Sequence, residues 1–304
     1  MTQATRVRIG WRDLPEAVRS RSEQIIGGRV VAAHSQPGGF SPGSADRVVT
    51  DSGRRAFVKA VTPAVNERSA ELARQEMRIT SAMPGDAPVP RMLGGFDDGQ
   101  WVVLILEDID GTHPRTPWVE SEIDAAVTTL RELAAAVTPS PVPGVPSAAD
   151  NLAGDFAGWD RIAADPPADL DPWAAGHLGE LRAAAARGLA AAATGETLVH
   201  CDIRADNLLI RRDGRMMVVD WPWGCVGPEW FDRLLLGLDV LAKGGDPSRV
   251  FEGIDEGTVT DVIAAIAGMF EHICRQPPPP GIPTVRAFQK AGADAIRPWL
   301  RERL

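Results

Sequence analysis

The segment 198–210 constrains the fold of this chain more than any other part of its sequence. It reads Leu-Val-His-Cys-Asp-Ile-Arg-Ala-Asp-Asn-Leu-Leu-Ile, a polar loop of the form HxDxxxxN that runs into an apolar strand. The turn residues Arg212-Asp213-Gly214 follow, and a second apolar stretch then ends at Asp220. Two apolar strands joined by so short a turn predict a β-hairpin, which brings Asp202, Asn207 and Asp220 to one end.

Phosphoryl transfer requires this combination of side chains at one place. Oxygen ligands hold Mg²⁺ against the phosphates of a nucleotide, and a carboxylate accepts the proton of the attacking hydroxyl. The thiol of Cys201 is not expected to be the catalytic nucleophile, because no base with an orienting partner accompanies it. The loop and hairpin therefore predict a site of the kinase type.

The loop and hairpin resemble the catalytic loop and the metal-binding aspartate of the aminoglycoside phosphotransferase family, which has a protein-kinase-like fold. The spacing from Asp202 to Asn207 and on to Asp220 matches the family's pattern. The resemblance implies that Asp202 is the catalytic base and that Asn207 and Asp220 bind Mg²⁺. It also implies that ATP or GTP is the phosphoryl donor.

Of three further residues in or near the loop, His200 and Asp232 are expected to support it. Cys201 replaces a residue that is usually small in the family, such as glycine. His200 is expected to brace the loop, since the carboxylate two residues later already serves as the base. Asp232, near the start of the next helix, is expected to cap that helix or to anchor the loop.

A lysine on a predicted strand provides an independent test, because a kinase also needs a cation on the phosphates and a carboxylate that holds the cation. The chain has 29 arginines and only three lysines, and Lys59 is the only lysine before position 243. Lys59 lies in the apolar stretch 56–61. The predicted strand thus carries a compact ammonium group, whereas the other basic residues before position 243 are arginines with a planar guanidinium group.

The partner of Lys59 is expected on the following helix, 66–83. The apolar stripe of this helix is marked by Leu72, Ile79 and Met83. Glu76 falls on the same stripe, and a buried carboxylate is rarely left without a cation. This predicts a Lys59–Glu76 ion pair, which the resemblance also implies. If the helix is rotated, the alternatives are Glu67 and Glu71.

Two other segments are candidates for nucleotide binding. The loop 38–44 has small residues that let backbone amides approach phosphate oxygens, although it lacks the GxGxxG spacing and a Walker lysine. Its candidate contacts are Ser41, Gly43 and Ser44, with an ordinary hairpin loop as the alternative. The stretch 104–111 resembles the inter-lobe hinge of the family, which implies that the Glu107 carbonyl and the Ile109 amide meet the purine edge.

The order of the predicted elements indicates an α+β chain with two lobes. After a helical opening at 11–26, strands are predicted at 28–34, 47–50, 56–61, 92–96 and 101–107. The sequence predicts a protein-kinase-like bilobal fold with a cleft between the lobes. Residues 1–107 form a nucleotide-binding N-lobe, a small five-stranded antiparallel sheet plus a helix. Residues 108–304 form a larger, mainly helical C-lobe for catalysis and substrate binding.

Charge and composition exclude several kinds of partner. A net charge of −9 disfavours nucleic acid, since phosphate contacts need a basic surface. No apolar stretch approaches the roughly 20 residues that span a bilayer, and no signal segment is evident. We therefore expect a cytoplasmic protein with no membrane partner, while the oligomeric state stays open. Three cysteines without CxxC spacing indicate free thiols.

The acceptor is expected in the helical lobe, where acidic residues accumulate. Residues 1–106 carry 14 basic and 11 acidic side chains, and the remainder carries 18 and 30. This charge could attract a cationic ligand, or it could be an ordinary solvated surface. The resemblance implies an acceptor pocket in this lobe, with Asp155, Asp160, Glu229 and Asp239 as candidate contacts.

The leading hypothesis is a nucleotide-dependent O-phosphotransferase. It would transfer the γ-phosphoryl group to a hydroxyl of a small, cationic molecule such as an aminoglycoside or related antibiotic. A metabolite kinase for a sugar, a choline-like amine or an amino alcohol has the same motifs and is the alternative. A nucleotide-binding pseudokinase is the third hypothesis, although the base, the metal ligands and the strand lysine are all present.

Overall fold

The computed structural model describes residues 9–36, 42–279 and 283–304 of the 304-residue chain. Backbone packing divides the chain into two compact units. Unit 1 takes its described residues from 1–113, 206–224 and 279–283, and unit 2 from 114–205, 225–278 and 284–304. Each unit combines separate stretches of the chain, so the units do not correspond to the predicted division into 1–107 and 108–304. That division, with nucleotide binding in the first part and acceptor binding in the second, stays a prediction.

Strands and helices alternate in unit 1, whereas helices predominate in unit 2. The described strands are β1 (Val30–Ser35), β2 (Ser44–Thr50), β3 (Arg55–Val61), β4 (Met92–Asp97), β5 (Val102–Leu106), β6 (Gly111–Thr112), β7 (Thr197–Val199), β8 (Leu208–Arg211), β9 (Met216–Val218) and β10 (Cys225–Gly227). The described α-helices are α1 (Glu16–Ile26), α2 (Glu67–Ser81), α3 (Glu120–Ala136), α4 (Ala148–Phe156), α5 (Gly158–Ala164), α6 (Pro172–Gly176), α7 (Leu178–Ala192), α8 (Phe231–Ala242), α9 (Ser248–Phe251), α10 (Glu256–Ile273) and α11 (Val285–Arg301).

The five predicted strands of the first part form one antiparallel sheet with the strand order β1-β2-β3-β5-β4. The helical opening is a 3₁₀ turn at Trp11–Asp13 followed by α1, because Pro15 separates the two. Strand β1 begins two residues later than predicted. Gly27 ends α1 in the left-handed region at φ 84°, and its N–H donates to the Glu23 carbonyl.

The sheet of unit 1 packs a helix on each face. Side chains alternate along β3, so Val58 and Ala60 pack in the cluster that includes α1. Phe57 and Val61 pack instead in the cluster that includes α2. Lys59 lies between these two residues in the same alternation. Its side chain is therefore directed to the face that α2 covers.

Helix α2 buries Glu76 against the sheet. Asn66 caps the helix by accepting a hydrogen bond from the Ser69 amide at 2.9 Å. The predicted stripe is only partly right, because Ile79 is fully buried while Leu72 and Met83 are half-buried. The buried face consists of Ser69, Ala70, Ala73, Glu76, Ile79 and Thr80. Small residues on this face let α2 approach the sheet closely.

The predicted hairpin is formed by β8 and β9, with Leu208 opposite Val218. The Val218 amide donates to the Pro88 carbonyl at 2.8 Å, which connects the hairpin to the segment before β4. Strand β6 pairs with β8 on the other side. A Cβ on Gly111 would lie 2.6 Å from the Ile210 carbonyl oxygen, so this pairing requires glycine there.

The core of unit 2 is centred on α10, which packs against α5, α7 and α11. Strands β7 and β10 pair at its side, with Cys225 opposite Val199. Helices α7 and α10 approach closely at Gly188, where a Cβ would lie 2.7 Å from the Asp261 carbonyl oxygen. Within the described ranges, no helix is both long enough and apolar enough to cross a membrane.

Gly188→Ala is expected to destabilise the protein by roughly 1–3 kcal/mol, because its methyl group would force α7 and α10 apart. Gly179→Ala is the matched control on the same helix, since no atom lies within 4 Å of its added Cβ. That variant should be neutral or slightly stabilising through helix propensity. Urea denaturation of both variants measures the difference, and equal stabilities would contradict the close helix contact.

Candidate active site

Unit 1 holds an ion cluster made of Lys59, Glu76 and Asp220, which we term the lysine cluster. The Lys59 Nζ donates to Glu76 Oε1 at 2.7 Å and to Asp220 Oδ1 at 2.6 Å. The Trp221 amide donates to Glu76 Oε1 at 3.4 Å. The predicted Lys59–Glu76 contact is thus present, and Asp220 from the hairpin end joins it. The alternatives, Glu67 and Glu71, are exposed.

Burial and charge act in opposite directions within the lysine cluster. Burial lowers the pKa of Lys59, but the charges of Asp220 and Glu76 more than offset it, so the pKa is raised. Burial raises the pKa of Glu76, and the charge of Lys59 opposes that shift. With one ammonium and two carboxylates, the cluster carries a formal charge of −1. The lysine remains protonated and fixed in position.

Asp220 and Asn207 lie at the same end of the hairpin. The Val219 amide donates to the Asn207 carbonyl oxygen at 3.0 Å, one residue beyond the Leu208–Val218 pair. Asp220 has a positive φ of 71°, an uncommon conformation outside glycine that aspartate tolerates better than most residues. The turn directs the carboxylate towards Lys59, and its side chain is 37% exposed.

The predicted phosphate loop meets β3 beside the lysine. Ser41 lies outside the described residues. Gly43 approaches β3 so closely that a Cβ would lie 2.5 Å from the Ala60 carbonyl oxygen. The Ser44 side chain is buried and its hydroxyl donates to the Asp46 carboxylate. Gly43 therefore lies near the lysine strand, whereas the Ser44 hydroxyl is engaged within β2.

The predicted hinge follows β5. No hydrogen bond among the described residues uses the Glu107 carbonyl oxygen or the Ile109 amide. Asp108 between them is buried and pairs with Arg47 at 2.5 Å and Arg55 at 2.7 Å. These two ion pairs fix the segment, and sequence reasoning did not assign Asp108 this function.

The loop that carries Asp202 is anchored in unit 2 by Asp232. Its carboxylate accepts hydrogen bonds from the His200 amide at 2.7 Å and from the Cys201 amide at 3.0 Å. The predicted alternative in which Asp232 anchors the loop thus agrees with the structure. His200 is fully buried and its Nδ1 accepts from the Asp202 amide at 3.2 Å, which places the proton of a neutral ring on Nε2.

Cys201 adopts a positive φ of 63° inside this loop. Glycine takes that conformation without strain, which explains why a small residue is usual there. The Asp232 contact to the Cys201 amide holds the strained turn.

Arg204 contacts the carboxylate of the predicted base, and sequence reasoning did not single it out. The Arg204 Nη1 donates to Asp202 Oδ1 at 2.8 Å. Its guanidinium also lies 5.4 Å from the ring centre of Phe288 on α11. Both Arg204 and Asp202 are mostly buried, at 18% and 26% exposure. The signal in the sequence was a cation two residues after the base.

The four acceptor candidates have different environments. Asp160 is exposed and pairs with Arg182 at 2.6 Å, and Glu229 is exposed. Asp155 is half-buried, and burial raises its pKa against the opposing charge of Arg161. Asp239 is buried and accepts hydrogen bonds from the Trp118 Nε1 at 2.9 Å and the Ala205 amide at 3.1 Å. Since Ala205 belongs to the loop that carries Asp202, these contacts indicate that Asp239 supports that loop.

Comparison with known proteins assigns the chain to a family. A family model described as the phosphotransferase enzyme family, APH, matches residues 39–250. The chain belongs to this family. It is therefore a phosphotransferase of the small-molecule kinase type, with a hydroxyl group as acceptor. No curated protein matches its sequence.

Solved structures show the same fold at low sequence identity. Choline kinase LicA from Streptococcus pneumoniae has a TM-score of 0.64 at 11% identity, with 94% of this chain and 97% of that chain covered. A complex of APH(2")-IIia with GDP and kanamycin has a TM-score of 0.61 at 14% identity, with 93% and 97% covered. The third structure is a thermostable mutant of aminoglycoside phosphotransferase APH(4)-Ia in a ternary complex with ADP and hygromycin B. It has a TM-score of 0.57 at 15% identity, with 92% of this chain and 97% of that chain covered. The predicted protein-kinase-like fold is confirmed.

The anchoring carboxylate should make stability depend on pH. Burial raises the pKa of Asp232 to about 6, although the His200 and Cys201 amides lower it. Because this folded-state pKa exceeds the ordinary value of 3.8, the stability that Asp232 contributes is complete below that value. It is lost as the pH rises through about 6.

The free energy of unfolding of the wild type minus that of Asp232→Asn should therefore be larger at pH 4 than at pH 7, by roughly 2–3 kcal/mol. Urea denaturation at four pH values over this range measures the change. Asp124→Asn, which alters an exposed carboxylate, is the control. The same pH trend in both variants would show that Asp232 is not its source.

Proposed function

We propose that this protein transfers the γ-phosphoryl group of ATP or GTP to a hydroxyl of a small, cationic molecule, with an aminoglycoside or related antibiotic as the leading acceptor class. The observation that carries the proposal is the contact of Lys59 with both Glu76 and Asp220. The lysine cluster holds a protonated ammonium between a buried carboxylate and a partly exposed one. It is the arrangement that positions a cation for nucleotide phosphates.

The nucleotide would bind along unit 1. Lys59 would contact the phosphates, with Glu76 holding the ammonium and Gly43 lying near the same strand. The Glu107 carbonyl and the Ile109 amide would meet the purine. Complexes of APH(4)-Ia with ADP and of APH(2")-IIia with GDP support either nucleotide.

The residues at the hairpin end fit a magnesium ion. Asp220 offers carboxylate oxygens and Asn207 offers an amide oxygen, which are the ligands that Mg²⁺ prefers. The −1 charge of the lysine cluster also favours a cation beside Asp220. When bound, Mg²⁺ would neutralise charge on the nucleotide phosphates. Asn207 and Asp220 would hold it, and the ion pair with Lys59 would orient Asp220.

Asp202 would act as the base. Its carboxylate would orient the acceptor hydroxyl and take its proton as the oxygen attacks the γ-phosphorus and the nucleoside diphosphate leaves with the bridging oxygen. Arg204 would fix the carboxylate through the 2.8 Å contact. Asp232 and His200 would hold the loop backbone that carries the base.

The acidic second part of the chain supports a cationic acceptor. The exposed carboxylates of Asp160 and Glu229 and the half-buried Asp155 are the proposed contacts, whereas the environment of Asp239 favours a supporting role. The likeness to choline kinase LicA favours a choline-like amine as the second candidate. Kanamycin and hygromycin B in the other two complexes favour the aminoglycoside class.

An acceptor screen tests the proposed function. Purified protein is incubated with Mg²⁺-ATP or Mg²⁺-GTP and a panel of aminoglycosides, choline-like amines, amino alcohols and neutral sugars, and mass spectrometry detects a phosphoryl addition. Preference for the cationic members supports the proposal. Preference for neutral sugars would exclude the cationic class. Nucleotide binding without turnover on any acceptor would favour the pseudokinase.

Asp202→Asn should lower kcat by about 100-fold or more while nucleotide affinity changes little, because the amide cannot accept the proton. Single-turnover kinetics and a nucleotide titration measure the two quantities. Turnover near the wild-type rate would remove Asp202 as the base.

Arg204→Met should lower kcat by about 10-fold to 100-fold, the equivalent of a hydrogen bond to a charged group, while the nucleotide KM stays unchanged. Arg204→Lys should recover part of the loss, because it keeps the charge without the planar fork. Arg187→Met removes another ion-paired arginine of unit 2, bonded to Asp261, and is the control. A kcat loss as large in this control would indicate a general structural effect.

A further inference from the structure

Two of the three cysteines contact each other at the loop that carries Asp202. The Sγ atoms of Cys201 and Cys225 lie 2.8 Å apart. A disulfide bond has an S–S length of about 2.05 Å, so the sulfurs need to approach by less than about 1 Å. Cys274 follows α10, and its Sγ contacts the Glu271 carbonyl at 3.5 Å. The contact therefore distinguishes one pair of thiols from the third.

The backbone holds both members of the pair in place. Cys225 begins β10 and lies opposite Val199 of β7. Cys201 follows β7 by two residues and turns at φ 63°, while Asp232 fixes its amide. The thiols thus approach each other from a paired strand and from an anchored turn. Oxidation would need side-chain adjustment and little backbone movement.

We propose that Cys201 and Cys225 form a reversible disulfide, and that this bond arrests the loop of Asp202 and switches off phosphoryl transfer. The oxidant is a low-molecular-weight disulfide of the oxidised-glutathione type. The effect on turnover rests on the proposed function. Formation of the bond does not.

The exchange proceeds in two balanced steps. The Cys201 thiolate, the more exposed of the two, attacks one sulfur of the small disulfide, and one small thiolate leaves. The Cys225 thiolate then attacks Cys201 Sγ in the mixed disulfide, and the second small thiolate leaves. The two protons from the cysteines end on the two small thiols. The cysteines are oxidised, and the small disulfide is reduced.

The environment of Cys201 makes this reaction slow. The hydrogen bond with Cys225 raises the pKa of Cys201, and burial and the charges of Asp232 and Asp202 raise it further. Little thiolate is present at neutral pH, so the pair should stay reduced in a reducing compartment and react under sustained oxidation.

The bond would constrain the base because Cys201 directly precedes Asp202. A covalent connection to β10 would replace an adjustable thiol contact at a turn that already has a positive φ. The Asp202 carboxylate and its Arg204 contact depend on that turn. We expect turnover to fall at least about 10-fold, whereas nucleotide binding should change little, because the nucleotide contacts proposed above lie in unit 1.

The test treats the full-length protein with oxidised glutathione under native conditions. Peptide mapping after alkylation should show a cross-linked Cys201–Cys225 peptide and an alkylated Cys274. Turnover should fall with cross-linking and return on addition of dithiothreitol. Cys274→Ser should behave like the wild type, whereas Cys225→Ala and Cys225→Ser should give no cross-link, because the mixed disulfide on Cys201 then has no resolving thiol.

Different outcomes overturn different parts of the proposal. Only a mixed disulfide on Cys201, or a cross-link to Cys274, would exclude the pair. A Cys201–Cys225 cross-link with unchanged turnover would exclude the switch. Loss of turnover in the wild type while the peptide map shows the mixed disulfide and no cross-link, as in oxidised Cys225→Ala, would assign inhibition to the mixed disulfide. If no acceptor is phosphorylated at all, the proposed function fails, and the peptide map still decides the disulfide.

Discussion

The ion pairing of Lys59 connects the separate elements of unit 1. Its ammonium contacts a carboxylate on α2 and another at the end of the β8–β9 hairpin, both within 2.7 Å. A buried charge costs several kcal/mol unless it is paired, so strand, helix and hairpin are held to one mutual arrangement. The closely packed alanines of α2 bring Glu76 near enough to take part. The fold therefore positions the lysine and the Asp220 carboxylate, the proposed metal ligand, through the same contact.

Backbone strain marks the turns at two carboxylates, Asp220 itself and Asp202, which directly follows Cys201. Among the described residues, only Cys201 and Asp220 combine a side chain larger than glycine's with a positive φ. Each is held by contacts that offset the strain, Cys201 through Asp232 and Asp220 through Lys59. Such strain persists where the surroundings determine the conformation, as at functional sites. The same strained turn at Cys201 brings its thiol to Cys225.

Much of the fold could be predicted from local patterns. Alternation along the strands and the Arg212-Asp213-Gly214 turn located the sheet and the hairpin, because both depend on neighbouring residues. The stripe of α2 was only partly right, since Ala70 and Ala73 give little hydrophobic signal although they form the buried face. Asp239 was a candidate acceptor contact because it is an acidic residue of the lobe in which the resemblance implies the acceptor pocket. Its bonds to Trp118 and Ala205 depend on residues distant in the chain.

The sequence by itself determined the candidate groups: a loop with Asp202, a hairpin that ends at Asp220, and a single lysine on an apolar strand with Glu76 on the next helix. Only the tertiary structure decided their contacts beyond the predicted Lys59–Glu76 pair. Lys59 contacts Asp220 across 161 positions, Arg204 turns back to Asp202, and Cys201 reaches Cys225. Periodicity reveals which face of an element is buried, but the distance between two buried side chains depends on how the elements pack together.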